Sequence, residues 1–406
     1  MRPRAVILGG ASPLRAAHRL GAECVYVSPG PVPEWKRAVA DRVIDLDFTR
    51  TDELCRVLGA LHAERPVRCV LSMTERGLLP AAVAGRHLGL PGTAVETVAR
   101  LRDKAAMRTC LADSRHAVPA VTGRSSADVL AFGAAHGYPC VVKPVDGSGS
   151  LGVVRVDRPQ DAAAAAAAQR GAAFLVEAFL AGPEYSVETL SAGGCHQVVA
   201  ITEKFVLAGF VPAGFVPAGF VSAGFVEVGH VVPARVPAPV AATLSAAAVE
   251  LLYRVGLRDG AAHTEVVLTA AGPRVVESHN RVGGDRINEL VRIATGVDLV
   301  AGAVELALHG VAPAAAGAPA RRAAAIRFLT PRPGRVRSIE GLDEVRAHPD
   351  VVEVEVAVEV GDQVPPLRQS ADRAGFVLVA APTADAAVAT SAELAGRIVI
   401  GMEGGA

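Results

Sequence analysis

The sequence predicts a multidomain protein that combines α/β and α+β architecture. The first hundred residues alternate short apolar strands with helical stretches, which is the pattern of a parallel sheet. Residues 101–310 contain a glycine-rich loop between two β-branched runs and, later, paired β segments. After an Ala-, Pro- and Gly-rich linker at 311–320, further strands and a final helix follow. Because 406 residues are too many for one compact core, we predict an N-terminal parallel α/β domain at 1–100, a two-lobed domain at 101–310 and a small α+β domain at 321–406.

The overall composition argues for a small-molecule substrate. Basic and acidic residues balance at 41 each, so no broad charged field recruits nucleic acid or an anionic membrane. The six cysteines include no pair two residues apart, which excludes a disulfide scaffold or a zinc site. The apolar run Ala5–Leu8 ends at Gly9, too soon for a secretory signal, so we expect a cytoplasmic protein.

Lysine is rare in this chain, and its positions are informative. Only four of the 41 basic residues are lysine, namely Lys36, Lys104, Lys143 and Lys204. Where arginine has replaced lysine almost everywhere, the remaining lysines are enriched at places that need a compact ammonium group. Three of the four lie inside the motifs described below.

The N-terminal elements follow from local pattern. A helix is predicted at Arg15–Leu20, and the strands are predicted at Arg4–Leu8, Cys24–Val27, Val43–Asp45 and Cys69–Ser72.

A glycine loop in the second domain has the features of a phosphate-binding flap. The segment Gly147–Gly152 follows one β-branched run and precedes another at Val153–Val156, so it predicts a hairpin and not the strand-to-helix turn of a dinucleotide-binding fingerprint. Backbone N–H groups around Gly149 and Gly152 and the hydroxyls of Ser148 and Ser150 can meet phosphate oxygens without steric hindrance. Lys143, just upstream, supplies a positive charge, and no P-loop motif exists in the chain.

The next segment suits a nucleoside. The apolar strand and connector Phe174–Leu180 can offer backbone amides and an apolar wall to adenine. Glu184, seven residues after Glu177, can accept hydrogen bonds from ribose hydroxyls.

Two glutamates on a predicted hairpin form a candidate metal site. The turn Thr269–Pro273 joins two strands and can bring Glu265 and Glu277 to one edge, and Mg²⁺ prefers carboxylates that share it with phosphate oxygens. Arg281, four residues after Glu277, can neutralise charge on a transferring phosphoryl group. These residues by themselves predict no role for His263 or His279.

A tandem pentapeptide forms an apolar insert at 205–226. It repeats Phe-Val-x-Ala-Gly from Phe205 and leaves 22 uncharged residues between Lys204 and Glu227, the length of a transmembrane helix. Two prolines and four glycines would cost such a helix about 10 kcal/mol, and a period of five matches neither helix nor strand. We therefore predict an apolar loop and no membrane span.

In this order, the motifs resemble those of the ATP-grasp superfamily over almost the whole chain: a pre-ATP-grasp domain, a two-lobed grasp and a C-terminal cap. The resemblance implies that Lys104, in the segment Arg102–Met107, and Lys143 are the two ATP lysines. It implies further that Glu177–Leu180, including Phe179, is the adenine hinge, that Glu184 binds ribose, and that Glu265 and Glu277 are the metal ligands.

Within the superfamily, several segments look most like the bacterial L-amino-acid ligases. The segments are Ile201–Lys204, Phe225–Pro233, His263–Glu265, Glu277–Arg281, Ala325–Gly334 and Asp372–Phe376. The resemblance implies an enzyme that uses ATP and Mg²⁺ or Mn²⁺ to join a carboxylate to an amine, both expected to be amino acids, through an acylphosphate with release of ADP. Arg281 would act electrostatically, Lys204 and His230 would contact substrate or phosphate, and we expect a homodimer.

Two departures and two alternatives accompany this resemblance. His279 stands where the family pattern often has a metal-binding Asn, and the pentapeptide falls in a link that is usually short. The alternatives are an ATP-grasp carboxylase that uses bicarbonate and a nucleotide-binding regulator without turnover. The retained glutamates and lysines argue against the regulator.

Overall fold

The computed structural model describes residues 2–146, 149, 151–206, 225–311 and 322–403. Ser148 and Ser150 of the flap, residues 207–224 of the pentapeptide insert and most of the predicted linker lie outside the described residues.

The N-terminal region is a parallel sheet flanked by helices, as predicted. Apolar strand residues such as Val6 and Val25 are fully buried between the helical layers. The strand order is β3-β2-β1-β4, with every pairing parallel. The elements are β1 Arg4–Leu8, α1 Ser12–Arg19, β2 Glu23–Ser28, α2 Glu34–Val39, β3 Arg42–Asp45, α3 Thr51–Glu64, β4 Val67–Leu71, α4 Glu75–His87 and α5 Val95–Arg102.

The first lobe of the second region is a small antiparallel sheet with helices packed on it. Its order is β5-β8-β6-β7. The predicted hairpin around the glycine loop is present, because β6 and β7 pair antiparallel with Val142 opposite Val154. The elements are α6 Lys104–Cys110, β5 Ala120–Gly123, α7 Ser126–His136, β6 Cys140–Pro144, β7 Val154–Val156, α8 Ala162–Ala168 and β8 Phe174–Ala178.

The second lobe contributes five strands to a large antiparallel sheet. The predicted hairpin at Thr269–Pro273 is also present, with Glu265 directly opposite Glu277. The elements are β9 Glu184–Ala192, β10 Cys195–Val206, β11 Glu227–Val232, α9 Ala238–Val255, β12 Gly260–Thr269, β13 Gly272–His279, α10 Ile287–Thr295 and α11 Leu299–His309.

The C-terminal region does not form a separate layer. Three of its strands, β14, β18 and β16, continue the large sheet, whose full order is β13-β12-β9-β10-β11-β14-β18-β16. The remaining strands form a small sheet in the order β17-β15-β19. The elements are β14 Ala323–Phe328, β15 Gly334–Glu340, α12 Leu342–Arg346, β16 Val351–Val356, β17 Gln363–Val364, β18 Gly375–Ala381, α13 Ala384–Arg397 and β19 Val399–Met402.

One helix in the described part of the chain, α9, is long and apolar enough to cross a bilayer by length and composition alone. Its buried residues Leu251, Leu252 and Val255 pack with Ala262 and Val275 of the β12–β13 hairpin. This packing accounts for the apolar face of the helix.

Candidate active site

A cleft of about 830 Å³ lies between the small antiparallel sheet and the large sheet. It collects most of the residues that the sequence singled out. Those that line it are Lys104, Lys143, Glu177, Phe179, Leu180, Glu184, Lys204, Glu265 and Glu277.

On the small sheet, the cleft is lined by an ion-pair cluster around Glu177. The side chain of Lys143, on β6, pairs with Oε1 of Glu177, on the adjacent strand β8. Arg108 donates from Nε and from one terminal nitrogen to Oε2 of Glu177, at 3.0 and 2.8 Å. Burial lowers the pKa of Lys143. Burial would raise the pKa of Glu177, but the positive charges of Arg108 and Lys143 outweigh this effect and lower that pKa. The carboxylate of Glu177 therefore holds the Lys143 ammonium inside the cleft.

Arg108 belongs to none of the motifs found in the sequence, although this residue lies one helical turn after Lys104 on α6. Besides Glu177, the Arg108 guanidinium donates to the backbone carbonyls of Val275 and Val276, each at 2.9 Å. It thus ties the small sheet to β13 of the large sheet. The i, i+4 spacing from Lys104 was the available signal, because such residues share one face of a helix.

Phe179 and Leu180 of the predicted hinge, and Leu151 and Arg155 next to the glycine loop, also line the cleft. Arg155, on β7, stacks 4.4 Å from the centre of the Phe179 ring. The amides of Ala178 and Phe179 donate to the carbonyls of Pro119 and Pro139, which fixes the hinge backbone. Gly152 has φ +77°, and a Cβ there would approach Pro144 to 3.0 Å, so this flap position requires glycine.

The predicted metal ligands face each other across the β12–β13 hairpin. Like charges directly opposite on neighbouring strands cost free energy, so the Glu265–Glu277 pair needs positive neighbours. Lys104 lies 2.8 Å from Glu277, and Lys204 lies 2.6 Å from Glu265. Against the effect of burial, Lys204 lowers the pKa of Glu265 to about 2, and Lys104 holds that of Glu277 well below its usual value. Two ionised carboxylates in register are a donor set that fits Mg²⁺.

Lys204 lies at the centre of three carboxylates. Its ammonium is 2.7 Å from Glu184, 2.9 Å from Glu227 and 2.6 Å from Glu265. Burial would lower the pKa of Lys204, but the three partners raise it well above its usual value. The three glutamates have the spacing of a cation site, and the Lys204 ammonium supplies the cation. The sequence analysis did not single out Glu227 by itself, although the segment that contains it was part of the resemblance.

Two histidines connect the predicted metal ligands to further carboxylates. His263 lies between Glu265 and the fully buried Glu188, and His279 lies between Glu277 and Glu75. Burial opposes charge on both rings, yet the carboxylates raise the pKa of His263 to about 9 and also raise that of His279. The His263 imidazole is therefore cationic at neutral pH, and the carboxylates beside His279 favour its protonated form.

Arg281 and His230 do not line the cleft as the structure describes it. Arg281 pairs with Glu75 at the start of α4 and forms part of the wall of a neighbouring cavity of about 680 Å³. His230 is 1% exposed, lies 3.3 Å from Asp285 and packs edge-on against Phe328. Arg281 thus lies just after β13, and His230 is buried on β11.

Comparisons with known proteins agree with this architecture. Three family models match the chain in succession: an ATP-grasp N-terminal domain at residues 14–92, an ATP-grasp domain at 136–289 and an L-amino acid ligase C-terminal domain at 327–403. An uncharacterized protein, y4rH, of Sinorhizobium fredii is 27% identical over 394 residues, which cover 93% of this chain and 77% of that protein. Human carnosine synthase 1 is 28% identical over 313 residues, covering 69% of this chain and only 36% of the relative.

Solved structures show the same fold. The L-amino acid ligase of Bacillus licheniformis superposes with a TM-score of 0.81 at 23% identity, covering 99% of both chains. The phosphoribosylglycinamide synthetase of Anaerococcus prevotii superposes with a TM-score of 0.75 at 18% identity, covering 99% of this chain and 100% of that one.

The chain therefore has the ATP-grasp fold, with an ATP-grasp N-terminal domain followed by an ATP-grasp domain. Its C-terminal region matches an L-amino acid ligase C-terminal domain.

Proposed function

We propose that this protein is an ADP-forming ligase that joins a carboxylate to an amine, giving an amide or a dipeptide. The observation that carries the proposal is the convergence of three of the four lysines, each paired with a carboxylate, on one cleft that also holds two glutamates in register. A cleft that paired its charges only for stability would not need opposed glutamates on neighbouring strands.

Each part of the cleft has a proposed role in holding ATP. Phe179 and Leu180 form the apolar wall for adenine, and Glu184 accepts from ribose hydroxyls with the oxygen that Lys204 leaves available. Lys104 and Lys143 contact the phosphates under the glycine flap. Mg²⁺, held by Glu265 and Glu277, would offset the charge of the phosphate oxygens.

The proposed reaction has two steps. A carboxylate oxygen of the acid substrate attacks the γ-phosphorus, the bond to the bridging oxygen breaks, and ADP leaves with that electron pair. An amine then attacks the acyl carbon, inorganic phosphate leaves, and the amine proton passes to solvent. Arg281 pairs with Glu75, which also contacts His279 at the end of β13. Arg281 would stabilise negative charge in both steps once substrate binds.

The names of the relatives support amino acids as substrates. The matched C-terminal domain is that of L-amino acid ligases, and a curated relative over 69% of this chain is a carnosine synthase. Since this chain spans about a third of that synthase, the comparison supports the class of substrate and not a particular product.

A product assay tests the proposal. Purified protein, screened with pairs of amino acids, ATP and Mg²⁺, is expected to release ADP and phosphate, and hydroxylamine is expected to trap a hydroxamate when the acid substrate is present. Stoichiometric AMP and pyrophosphate would contradict the mechanism. Turnover that requires bicarbonate and no amine would instead indicate a carboxylase.

A further inference from the structure

We infer that His263 and His279 are a matched pair of positioning residues that fix the orientation of the two metal-binding glutamates. Each histidine bridges one of these glutamates to an outer glutamate, Glu188 or Glu75. The inference rests on the proposed function, because it takes Glu265 and Glu277 as the ligands of the divalent cation.

The two bridges use the same ring nitrogens, although the contact of His279 Nδ1 with Glu75 is an ion pair without hydrogen-bond geometry. The Nε2 atom of His263 lies 3.3 Å from Glu265, and its Nδ1 atom lies 2.9 and 3.0 Å from the two oxygens of Glu188. The Nε2 atom of His279 lies 3.0 Å from Glu277, and its Nδ1 atom lies 3.0 Å from Glu75. In both, Nε2 faces the cleft glutamate and Nδ1 faces the outer one.

The strand register explains why the bridges match. His263 pairs with His279, and Glu265 pairs with Glu277, across the antiparallel β12–β13 hairpin. Since side chains alternate along a strand, all four share one face. The intervening Thr264 and Ser278 face the other way and bond to each other at 2.8 Å. The sequences His-Thr-Glu and Glu-Ser-His are the reverse of each other, so the antiparallel register places like residues opposite each other.

Both outer glutamates are themselves held in place. Glu188 is fully buried and accepts hydrogen bonds from Ser186 at 2.7 Å and Thr202 at 3.3 Å. Glu75 is paired with Arg281 and starts helix α4 of the N-terminal region. A carboxylate that is oriented through an anchored imidazole loses fewer conformations when it binds a cation, and such outer partners typically contribute 10–100-fold to metal affinity.

The two outer glutamates, Glu188 and Glu75, come from different parts of the chain. Glu188 belongs to the same sheet as the metal pair, whereas Glu75 reaches it from the N-terminal region and also holds Arg281. Glu75 therefore couples the position of the N-terminal region to one metal ligand and to the arginine beside it. A residue that touches neither nucleotide nor cation is expected to alter cation binding.

Cation binding without turnover is the direct test. The free Mn²⁺ signal in electron paramagnetic resonance would be titrated with wild-type protein and variants in the presence of ADP, and ADP binding would be measured without metal. We expect His279→Phe and His263→Phe to weaken Mn²⁺ binding about 10–100-fold while metal-free ADP binding stays within about twofold. Glu75→Gln should weaken Mn²⁺ binding in the same direction, and His279→Gln, which retains one N–H donor, should recover part of the loss.

His196→Gln is the matched control, because His196 lies on the same sheet but bonds to Ser191 and contacts Tyr253 edge-on. Wild-type Mn²⁺ affinity in Glu75→Gln and in either Phe variant that folds would overturn the inference while leaving the ligase proposal intact. Failure of the wild-type protein itself to bind Mn²⁺ with ADP would overturn both.

Discussion

Charge in the cleft is almost wholly paired before any ligand arrives. Lys143, Arg108 and Glu177 form one closed cluster, and Lys204 closes a second with three glutamates. Buried ion pairs add little net stability, because desolvation offsets much of the Coulombic gain. Their benefit here is preorganisation: each ammonium is held at a fixed point by a carboxylate, so less conformational freedom is lost when phosphate binds.

Glu277→Gln tests the metal pair at the level of one residue. The substitution removes a ligand charge but keeps the shape, and it leaves the Lys104 ammonium without its 2.8 Å carboxylate partner. We expect kcat to fall at least about 100-fold, since a main electrostatic element of the site is lost. Steady-state kinetics at saturating Mg²⁺ measure the effect, and circular dichroism checks that the fold is intact. Near-wild-type turnover would show that the metal lies elsewhere.

Some site residues were accessible from sequence and others were not, for a physical reason. Rare residue types and short spacings identified the lysines and the glutamates of the hairpin. Arg108 and Glu75 were missed because their partners, Glu177 and Arg281, lie 69 and 206 residues away, and single arginines and glutamates are common throughout this chain. Only the tertiary fold brings such pairs together.

At the level of secondary structure, local signals predicted both functional hairpins. A glycine loop between β-branched runs gave β6–β7, and a short turn between apolar runs gave β12–β13. The pairing of β11 with β14 had no such signal, because these strands are separated by one helix, a hairpin and two further helices. Local signals therefore predicted the two hairpins but not the continuity of the large sheet.

The link between β10 and β11 makes the pentapeptide insert a candidate for deletion. These strands are antiparallel neighbours, with Phe205 opposite Gly229 and Val206 opposite Glu227, so their connected ends already lie together. Deleting residues 210–224 leaves residues 207–209 and 225–226 as the connection, a common hairpin loop length. Because loop entropy changes slowly with length, we expect the melting temperature to stay within a few degrees.

Kinetics of the same deletion test whether the insert affects substrate binding. Phe225 and Glu227 line the cleft, so KM for one substrate is expected to change while KM for ATP stays the same. A Gly- and Ser-rich replacement of 210–224 with the same length separates the effect of sequence from that of length. An insoluble deletion product alongside a folded replacement would show that the connection needs its full length.

Across the whole molecule, charged contacts join the C-terminal region to the loop that follows β13. Arg373 donates to both oxygens of Asp285, at 2.8 and 2.6 Å, and Arg286 lies 2.6 Å from Glu353. Asp285 and Arg286 both have positive φ, a costly conformation for residues with a side chain. The C-terminal region thus holds the strained end of the loop that begins at Arg281, which relates the L-amino acid ligase domain to the active site.

A double-mutant cycle on Asp285 and Arg373 tests this connection. Burial would raise the pKa of Asp285, but hydrogen bonds from His230 and Arg373 lower it well below its usual value. A depressed folded pKa gives stability that is present above the unfolded pKa and lost as pH falls through the folded one, so the pair contributes fully above about pH 5. At pH 7 we expect Asp285→Asn and Arg373→Met to be non-additive in the free energy of unfolding by about 1–3 kcal/mol.

The same variants are expected to lower kcat, because Asp285 lies in the loop that begins at Arg281 and Arg373 also donates to the backbone carbonyl of Glu227, which lines the cleft. Urea unfolding and steady-state kinetics of the two single variants and the double variant complete the cycle. Arg397→Met, which breaks the more exposed pairs of Arg397 with Glu344 and Glu393 in the same C-terminal region, is the matched control and should change neither quantity appreciably. Additive unfolding free energies together with unchanged kcat would mean that the C-terminal region is attached to the loop without positioning it.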